Sequence, residues 1–179
     1  MCIRDRMDLA PLIRNVPDFP KPGIQFKDIT TLLKNGPAFR SVIDGWRERY
    51  AEQRLDAVVG AEARGFMFGG ALAYALGAPF VPVRKPGKLP AETISEMYQL
   101  EYGSDSLEIH KDALKQGDRV VLIDDLLATG GTMSAVARLV ERLGAEIVEM
   151  AFVIELPLLK GREQLQGYPV HTLVKFMVE

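Results

Sequence analysis

The chain is poor in several residues that commonly announce a function. Its 179 residues include one cysteine, Cys2, one tryptophan and two histidines. A lone cysteine builds neither an intrachain disulfide nor a cysteine-based zinc site. His110 and His171 stand far apart, without metal-ligand spacing, and read as structural or surface groups. Charge of one sign is lacking too. Lys plus Arg is 22 and Asp plus Glu is 24, for a formal net charge of −2. That balance suits neither a nucleic-acid coat nor a polybasic membrane binder. No apolar run approaches the roughly 20 residues that span a bilayer. There is no Gly-x-x-x-x-Gly-Lys-[Ser/Thr] loop and no Gly-x-Gly-x-x-Gly, so a Walker-type nucleotide site and a nicotinamide dinucleotide are unsupported. Repeats and low-complexity stretches are absent, and the cytoplasm is the expected compartment.

What is present fits one domain. Hydrophobic residues make up 47% and charged residues 26%, enough for a full core at this length. Met1 to Arg6 has neither a secretory h-region nor a helical period, and is expected to be a non-native or artefactual extension. The domain is then residues 7–179. Asp8 to Val16 is expected to be a short amphipathic helix carrying Leu9, Leu12 and Ile13. The Pro/Gly-rich run Pro17 to Gly23 forbids regular structure. Ile24 to Ile29 reads as extended. Asn35-Gly36-Pro37 opens a helix with Phe39, Val42, Ile43, Trp46 and Tyr50 on one face.

Strands are expected at Leu55 to Val59, Pro79 to Val83, Arg119 to Ile123, Glu146 to Ile154 and Val170 to Phe176. Helices are expected at Gly65 to Leu76, closed by Gly77, at Thr129 to Leu143, closed by Gly144, and near Leu158 to Leu165. Met97 to Tyr102 and Leu107 to His110 alternate around Gly103-Ser104-Asp105, which predicts a hairpin. Strands alternating with helices give an α/β fold with a doubly wound, mostly parallel sheet.

The chemistry concentrates in Val120 to Thr132. A buried strand leads to Asp124 and Asp125, then to Ala128, Thr129, Gly130, Gly131 and Thr132 at a helix start. Open α/β sheets bind ligands at that edge. Unpaired N–H groups and the positive end of the helix dipole suit a phosphate. The two glycines let the backbone approach an anion, and the threonines add hydroxyl donors. The aspartates cannot serve the phosphate. They suit ribose hydroxyls as acceptors, or a divalent cation at one remove. The combination describes a ribose 5-phosphate site.

This segment resembles the type I phosphoribosyltransferases, whose signature is an acidic pair followed by a Thr/Gly-rich loop. Further motifs agree over residues 8–179: Asp18-Phe19-Pro20-x-Pro22-Gly23-Ile24-x-Phe26-Lys27-Asp28-Ile29, Glu62-Ala63-Arg64-Gly65-Phe66, Arg84-Lys85-x-Gly87-Lys88-Leu89-Pro90 and Leu100-Glu101-Tyr102-Gly103. The first and last of these resemble the members that take adenine as the base. The resemblance implies a fold with a small N-terminal hood, about residues 8–34, and a β-hairpin flap. It implies transfer of the phosphoribosyl group from phosphoribosyl pyrophosphate to adenine, with Mg2+ held mainly by substrate and water rather than by direct protein ligands. It also implies a homodimer.

Site roles follow from the same resemblance. Glu62, Ala63, Arg64, Arg84 and Lys88 meet the pyrophosphate, the Glu62 to Arg64 loop can carry a cis peptide, and Arg84 can reach a neighbouring subunit's site. Glu101 and Tyr102, with Arg64, are the catalytic group. Gln25, Phe26 and Lys27 select the base, and Leu156 flanks it. Phe19 has a plainer reading, as a core anchor of an irregular arm. Arg64, Arg84, Lys85 and Lys88 are expected to gather at one anionic site, balanced by acids elsewhere. Two rivals stay open: transfer to another purine (hypoxanthine, guanine or xanthine), or a non-catalytic sensor of phosphoribosyl pyrophosphate. The hood segment argues against the first, and the lack of a spare helix-turn-helix region or basic face against the second. Deleting residues 1–6 should leave folding and turnover unchanged, as read by thermal melting and steady-state rate.

Overall fold

A computed structural model describes residues 7–100 and 103–178. Residues 1–6 and the catalytic candidates Glu101 and Tyr102 lie outside the described residues. The sheet is built from short β-rich apolar runs: β3 (Ala57–Ala61), β4 (Phe80–Val83), β7 (Arg119–Leu127), β8 (Glu146–Glu155) and β9 (Val170–Lys175). All pair in parallel, in the order β4-β3-β7-β8-β9. β3 crosses over to one side, to β4, and β7 to the other, to β8. The sheet's switch point therefore lies between β3 and β7, where ligands bind in open α/β folds.

Alternate residues of the central strands feed two cores. Val58, Val121 and Ile123 face α2 (Gly36–Tyr50) and α3 (Gly65–Leu76), against Trp46, Phe68 and Leu72. Val59, Val120 and Leu122 face α4 (Gly131–Arg142), against Val136, Leu139 and Val140. Asn35 caps α2 by accepting from the Ala38 amide at 3.1 Å, with Pro37 in the first turn. The expected face of α2 is inward, with Phe39 half-buried and edge-on to Phe68. Gly77, in a left-handed conformation, closes α3 as the sequence predicts.

Several expectations need correction. Asp8 to Val16 is not a helix. Pro11 opens a single 3-10 turn, Ala10–Leu12, and the chain then extends as β1 (Arg14–Pro17) to pair antiparallel with β2 (Gln25–Asp28). The apolar spacing still buries Leu9 and Ile13. A short helix, α1 (Thr30–Lys34), follows β2, opened by Asp28 accepting from the Thr30 amide at 2.9 Å. The stretch near Leu158 is two 3-10 turns, Pro157–Leu159 and Gly161–Leu165. The hairpin strands are longer than expected, β5 (Thr93–Leu100) and β6 (Gly103–His110). Gly103-Ser104-Asp105 belongs to β6, pairing with Leu100, Gln99 and Tyr98, and is not the turn. β7 also runs past Ile123 to Leu127, because Leu126 and Leu127 still find partners in Ile154 and Glu155 of β8. Phe19 is 52% exposed, so it is no core anchor; it stands edge-on to Phe26 at 5.2 Å.

The far edge of the sheet is tied by a buried carboxylate. Glu155 accepts from Arg162 at 2.7 and 2.8 Å and from the Thr172 hydroxyl at 2.7 Å, with Lys175 at 3.6 Å. The Arg162 bonds hold its pKa down to about 2. Its stabilising effect is therefore fully present above the ordinary carboxylate range, near 4.5, and is lost as pH falls from there to about 2. Glu155→Gln should cost about 2 kcal/mol at neutral pH, after allowing for the half-exposed Arg162. It should also flatten the acid limb of stability, measured by urea unfolding between pH 5 and 2, on the order of that pKa window.

Candidate active site

The crevice opens where β3 stops. The last β3–β7 pair is Gly60 with Ile123, while β7 continues through Asp124 and Asp125. The turn after β3, Glu62 to Arg64, and the turn after β7, Ala128 to Gly130, thus face each other across the switch point. The Glu62–Ala63 peptide is cis, as the resemblance implies. Around the β7 turn is a cavity of about 160 Å³, lined by Asp124 to Met133 together with Arg64 and Phe152. A second cavity of about 270 Å³ shares Arg64, Asp124, Asp125 and Thr132 and adds Glu62, Ala63, Lys85, Tyr98 and Leu107.

The two aspartates have different surroundings. Asp125 is 2% exposed and receives Arg64 Nε at 2.6 Å. Asp124 accepts from the Asp125 amide at 2.9 Å. Burial and then the neighbouring Asp125 charge push the Asp124 carboxyl well above the usual carboxylate range. Arg64 also reaches the hood, its guanidinium carbon lying 5.8 Å from the Phe26 ring centroid. One side chain therefore touches three predicted subsites: its own turn, the ribose carboxylates and the base clamp.

Arg84 and Lys85 are locally compensated, which corrects for them the expectation that acids elsewhere balance them. Arg84 binds Glu62 through two nitrogens, at 3.0 and 3.2 Å, and the Lys85 amide adds a bond to Glu62 at 2.8 Å. The Arg84 bond and the Lys85 amide bond help hold the Glu62 carboxyl below its ordinary range, against some burial. Lys85 Nζ pairs with Asp105 of β6. Lys88 is exposed, and among the described residues its ammonium has no ion pair. The backbone of Arg84 exchanges two hydrogen bonds with that of Glu108, so the basic loop rides on the hairpin.

The glycines of the two turns are required first by packing. Gly130 has a φ of +85°, and a Cβ there would strike the Gly161 carbonyl. A Cβ on Gly65 would lie 2.8 Å from the Ile123 carbonyl oxygen. Ligand approach is the expected reason for Gly130; the structure seats one backbone on another at both positions. In the hood, Gln25 and Lys27 turn their side chains to Asn15, at 2.7 and 2.8 Å. Lys27 also lies over the Phe176 ring at 4.5 Å, and burial lowers its pKa. Leu156 is buried beside the end of β7, its amide donating to the Leu127 carbonyl at 2.9 Å, and does not line either cavity.

Sequence reasoning missed Tyr98, Leu107 and Asp105. The available signal was the two-residue period of β6, which puts Asp105 on the same buried face as Leu107 and Ile109. A larger cavity, about 370 Å³, lies between α2 and β9, but its Arg49 and Lys175 are already paired with Glu149 and Glu155. Among the described residues no group of three or more His, Cys, Asp or Glu could hold a metal ion, and no helix is long and apolar enough to cross a membrane.

Comparison with known proteins agrees with this geometry. Residues 29–172 match the model of the phosphoribosyl transferase domain. The chain is 61% identical over 171 residues to adenine phosphoribosyltransferase of Chloroflexus aurantiacus, covering 96% of this chain and 99% of that one. The crystal structure of adenine phosphoribosyltransferase from Thermoanaerobacter pseudethanolicus superposes with a TM-score of 0.91 at 55% identity, covering 94% and 98% of the two chains. The Saccharomyces cerevisiae enzyme, complexed with adenine and an imino-altritol bisphosphate, gives 0.88 at 45% identity, covering 93% and 96%. The chain belongs to the phosphoribosyltransferase family, among the adenine phosphoribosyltransferases.

Proposed function

We propose that this protein is a purine-salvage enzyme that transfers the 5-phosphoribosyl group from phosphoribosyl pyrophosphate to adenine, giving AMP and pyrophosphate. The observation that carries the reading is the crevice between β3 and β7. There a buried acidic pair runs into a helix N-terminus and faces a cationic turn. The relatives' shared activity and the adenine bound in the yeast structure support the choice of base.

Each residue has a defined task in this reading. The amides and hydroxyls from Ala128 to Thr132, at the start of α4, take the 5-phosphate. Asp124 and Asp125 take the ribose hydroxyls. Their environments are unequal: Asp125 is matched to Arg64, while burial and the Asp125 charge raise the Asp124 carboxyl. As the C1–oxygen bond to pyrophosphate breaks and the N9–C1 bond forms, positive charge builds on the sugar and negative charge on the leaving group. Arg64, Arg84, Lys85 and Lys88, with the Glu62-Ala63 turn, face the departing charge. Glu101, with Tyr102 beside it, accepts the proton leaving N9 of adenine. Phe26 clamps the ring, and Gln25 and Lys27 present backbone to its edge. No covalent nucleophile is needed, so the rate comes from positioning and electrostatics.

Magnesium fits as a group carried in with the substrate. Among the described residues the crevice offers two aspartates near the ribose site, one already matched to Arg64, and Glu62, already matched to Arg84, and Mg2+ typically keeps waters and substrate oxygens as its ligands. When bound it supplies charge neutralisation at the pyrophosphate. A homodimer belongs to the same reading. No charged residue occurs in α3 from Gly65 to Leu76, yet Met67 is 41% and Tyr74 91% exposed there, an apolar surface that suits a second subunit. Arg84 would then reach the partner's site. Residues 7–179 act as one domain, with residues 8–34 as its hood, in the cytoplasm.

Asp125→Asn and Thr132→Val should each raise KM for phosphoribosyl pyrophosphate, by about tenfold or more, with a smaller change in kcat. Glu101→Gln should mainly lower kcat. Steady-state assays with adenine, hypoxanthine and guanine read all three. Unchanged kinetics in every variant removes the site assignment. A preference for guanine selects another purine, and tight binding without product selects the sensor.

A further inference from the structure

Two basic groups of the cavity wall, Arg64 and Lys85, and the neighbouring Arg84 each have an acid within bonding distance: Arg64 with Asp125, Lys85 with Asp105 and Arg84 with Glu62. Two of these acids already have tasks. Asp125 belongs to the ribose site, and Glu62 also fixes the Lys85 amide. Asp105 has none. It comes from a different element, the β6 strand of the hairpin.

Asp105 is nonetheless held in place. One carboxylate oxygen, Oδ2, receives Lys85 Nζ and the Tyr98 hydroxyl, the latter at 3.3 Å. The other, Oδ1, accepts from the Ser106 amide at 2.8 Å. Tyr98 is only 7% exposed and sits directly across the ladder from Asp105. Both Tyr98 and Lys85 line the cavity, and the Lys85 side chain keeps 43% of its surface open. The ammonium is therefore reachable by a ligand while a fixed carboxylate occupies one side of it.

We infer that Asp105 is the standing counter-ion of Lys85, a positioning residue that pyrophosphate must displace, and that it thereby limits how tightly the site holds pyrophosphate. The inference rests on the transfer reaction proposed above. Pyrophosphate at neutral pH carries several negative charges, and a carboxylate sharing its ammonium repels it. Cations with no counter-ion would bind the product as readily as the substrate's leaving group, and product release limits many enzymes. A built-in repulsive group trades some affinity for turnover. Tyr98 keeps that carboxylate aimed when the site is empty, so Lys85 is presented at the cavity in a defined place.

The test is calorimetric titration of magnesium pyrophosphate into the wild type, Asp105→Asn, Lys85→Gln and the double variant. Asp105→Asn should lower the pyrophosphate Kd about three- to tenfold, the range for losing one partly exposed charge contact. It should also lower kcat and KM for phosphoribosyl pyrophosphate together, with KM for adenine unchanged. In the Lys85→Gln background the same substitution should change Kd less than about twofold, as coupling through Lys85 requires. Asp105→Glu, which keeps the charge, should keep the wild-type Kd, and Asp105→Ala serves as a second charge-removing variant if Asp105→Asn folds poorly. An unchanged or higher Kd on removing the charge overturns the inference, as does an equal gain without Lys85. A wild type that binds pyrophosphate but forms no AMP would overturn the transfer reading instead, leaving the comparison of variants intact.

Discussion

The pairing of Arg64 with Asp125 is the contact on which the crevice depends. Asp125 is 2% exposed at a point where β3 has ended and can no longer cover it. A buried carboxylate stripped of its partner costs about 3–5 kcal/mol, so the Arg64 bond at 2.6 Å is what allows an acid to stand there. That bond also sets the geometry around it. It joins the turn after β3 to the end of β7, places a guanidinium over the Phe26 ring and fixes the relation of hood to sheet. At the adjacent Asp124, burial and then the Asp125 charge raise the pKa.

Charge compensation extends that logic across the whole site. A polyanionic substrate calls for several cations, but cations crowded together without a ligand repel one another. This chain meets the conflict by giving Arg64, Arg84 and Lys85 an acid each, drawn from three different elements. The arrangement holds these cations apart and in place. It also mechanically links the parts. Glu96 of β5 receives Arg138 at 2.6 Å and Arg142 at 3.1 Å, so the hairpin is fastened to α4, the helix that follows the Thr/Gly turn. On its other strand, Glu108 accepts from the Gly87 amide at 3.1 Å, fastening the basic loop.

Behind the site, stability comes from ordinary burial on both faces of the sheet, with two carboxylates pinning its far side. Glu149 takes Arg49 at 2.6 Å through both oxygens and the Tyr50 hydroxyl at 2.5 Å, clamping α2 to β8. Glu155 does the same for β8, β9 and the second 3-10 turn. Gly161 in that turn approaches Ala128 so closely that neither it nor Gly130 can carry a side chain. The turn from Ala128 to Gly130 is thus shaped from behind by a segment some thirty residues downstream.

By itself, the sequence determined the fold class and where the two turns that flank the crevice fall. Apolar periods located the strands and helices, because a strand or helix must bury one face. The run Asp124 to Thr132 was legible as an acidic pair leading into a Thr/Gly turn at a helix start, because those residues are adjacent in the chain. Leu9 and Ile13 were correctly read as buried, but their spacing could not distinguish a helix from a 3-10 turn followed by a strand. That choice depended on β2, which pairs with Arg14–Pro17 only in the folded chain. The partner of each charge was likewise hidden. Lys85 and Asp105 are twenty residues apart and meet only because β6 bridges to the end of β4. Gly130 meets Gly161, and Arg64 meets Asp125, for the same reason. Local pattern fixes what each segment becomes, whereas compensation of charge and close approach of backbones are long-range contacts, and only tertiary structure decides them.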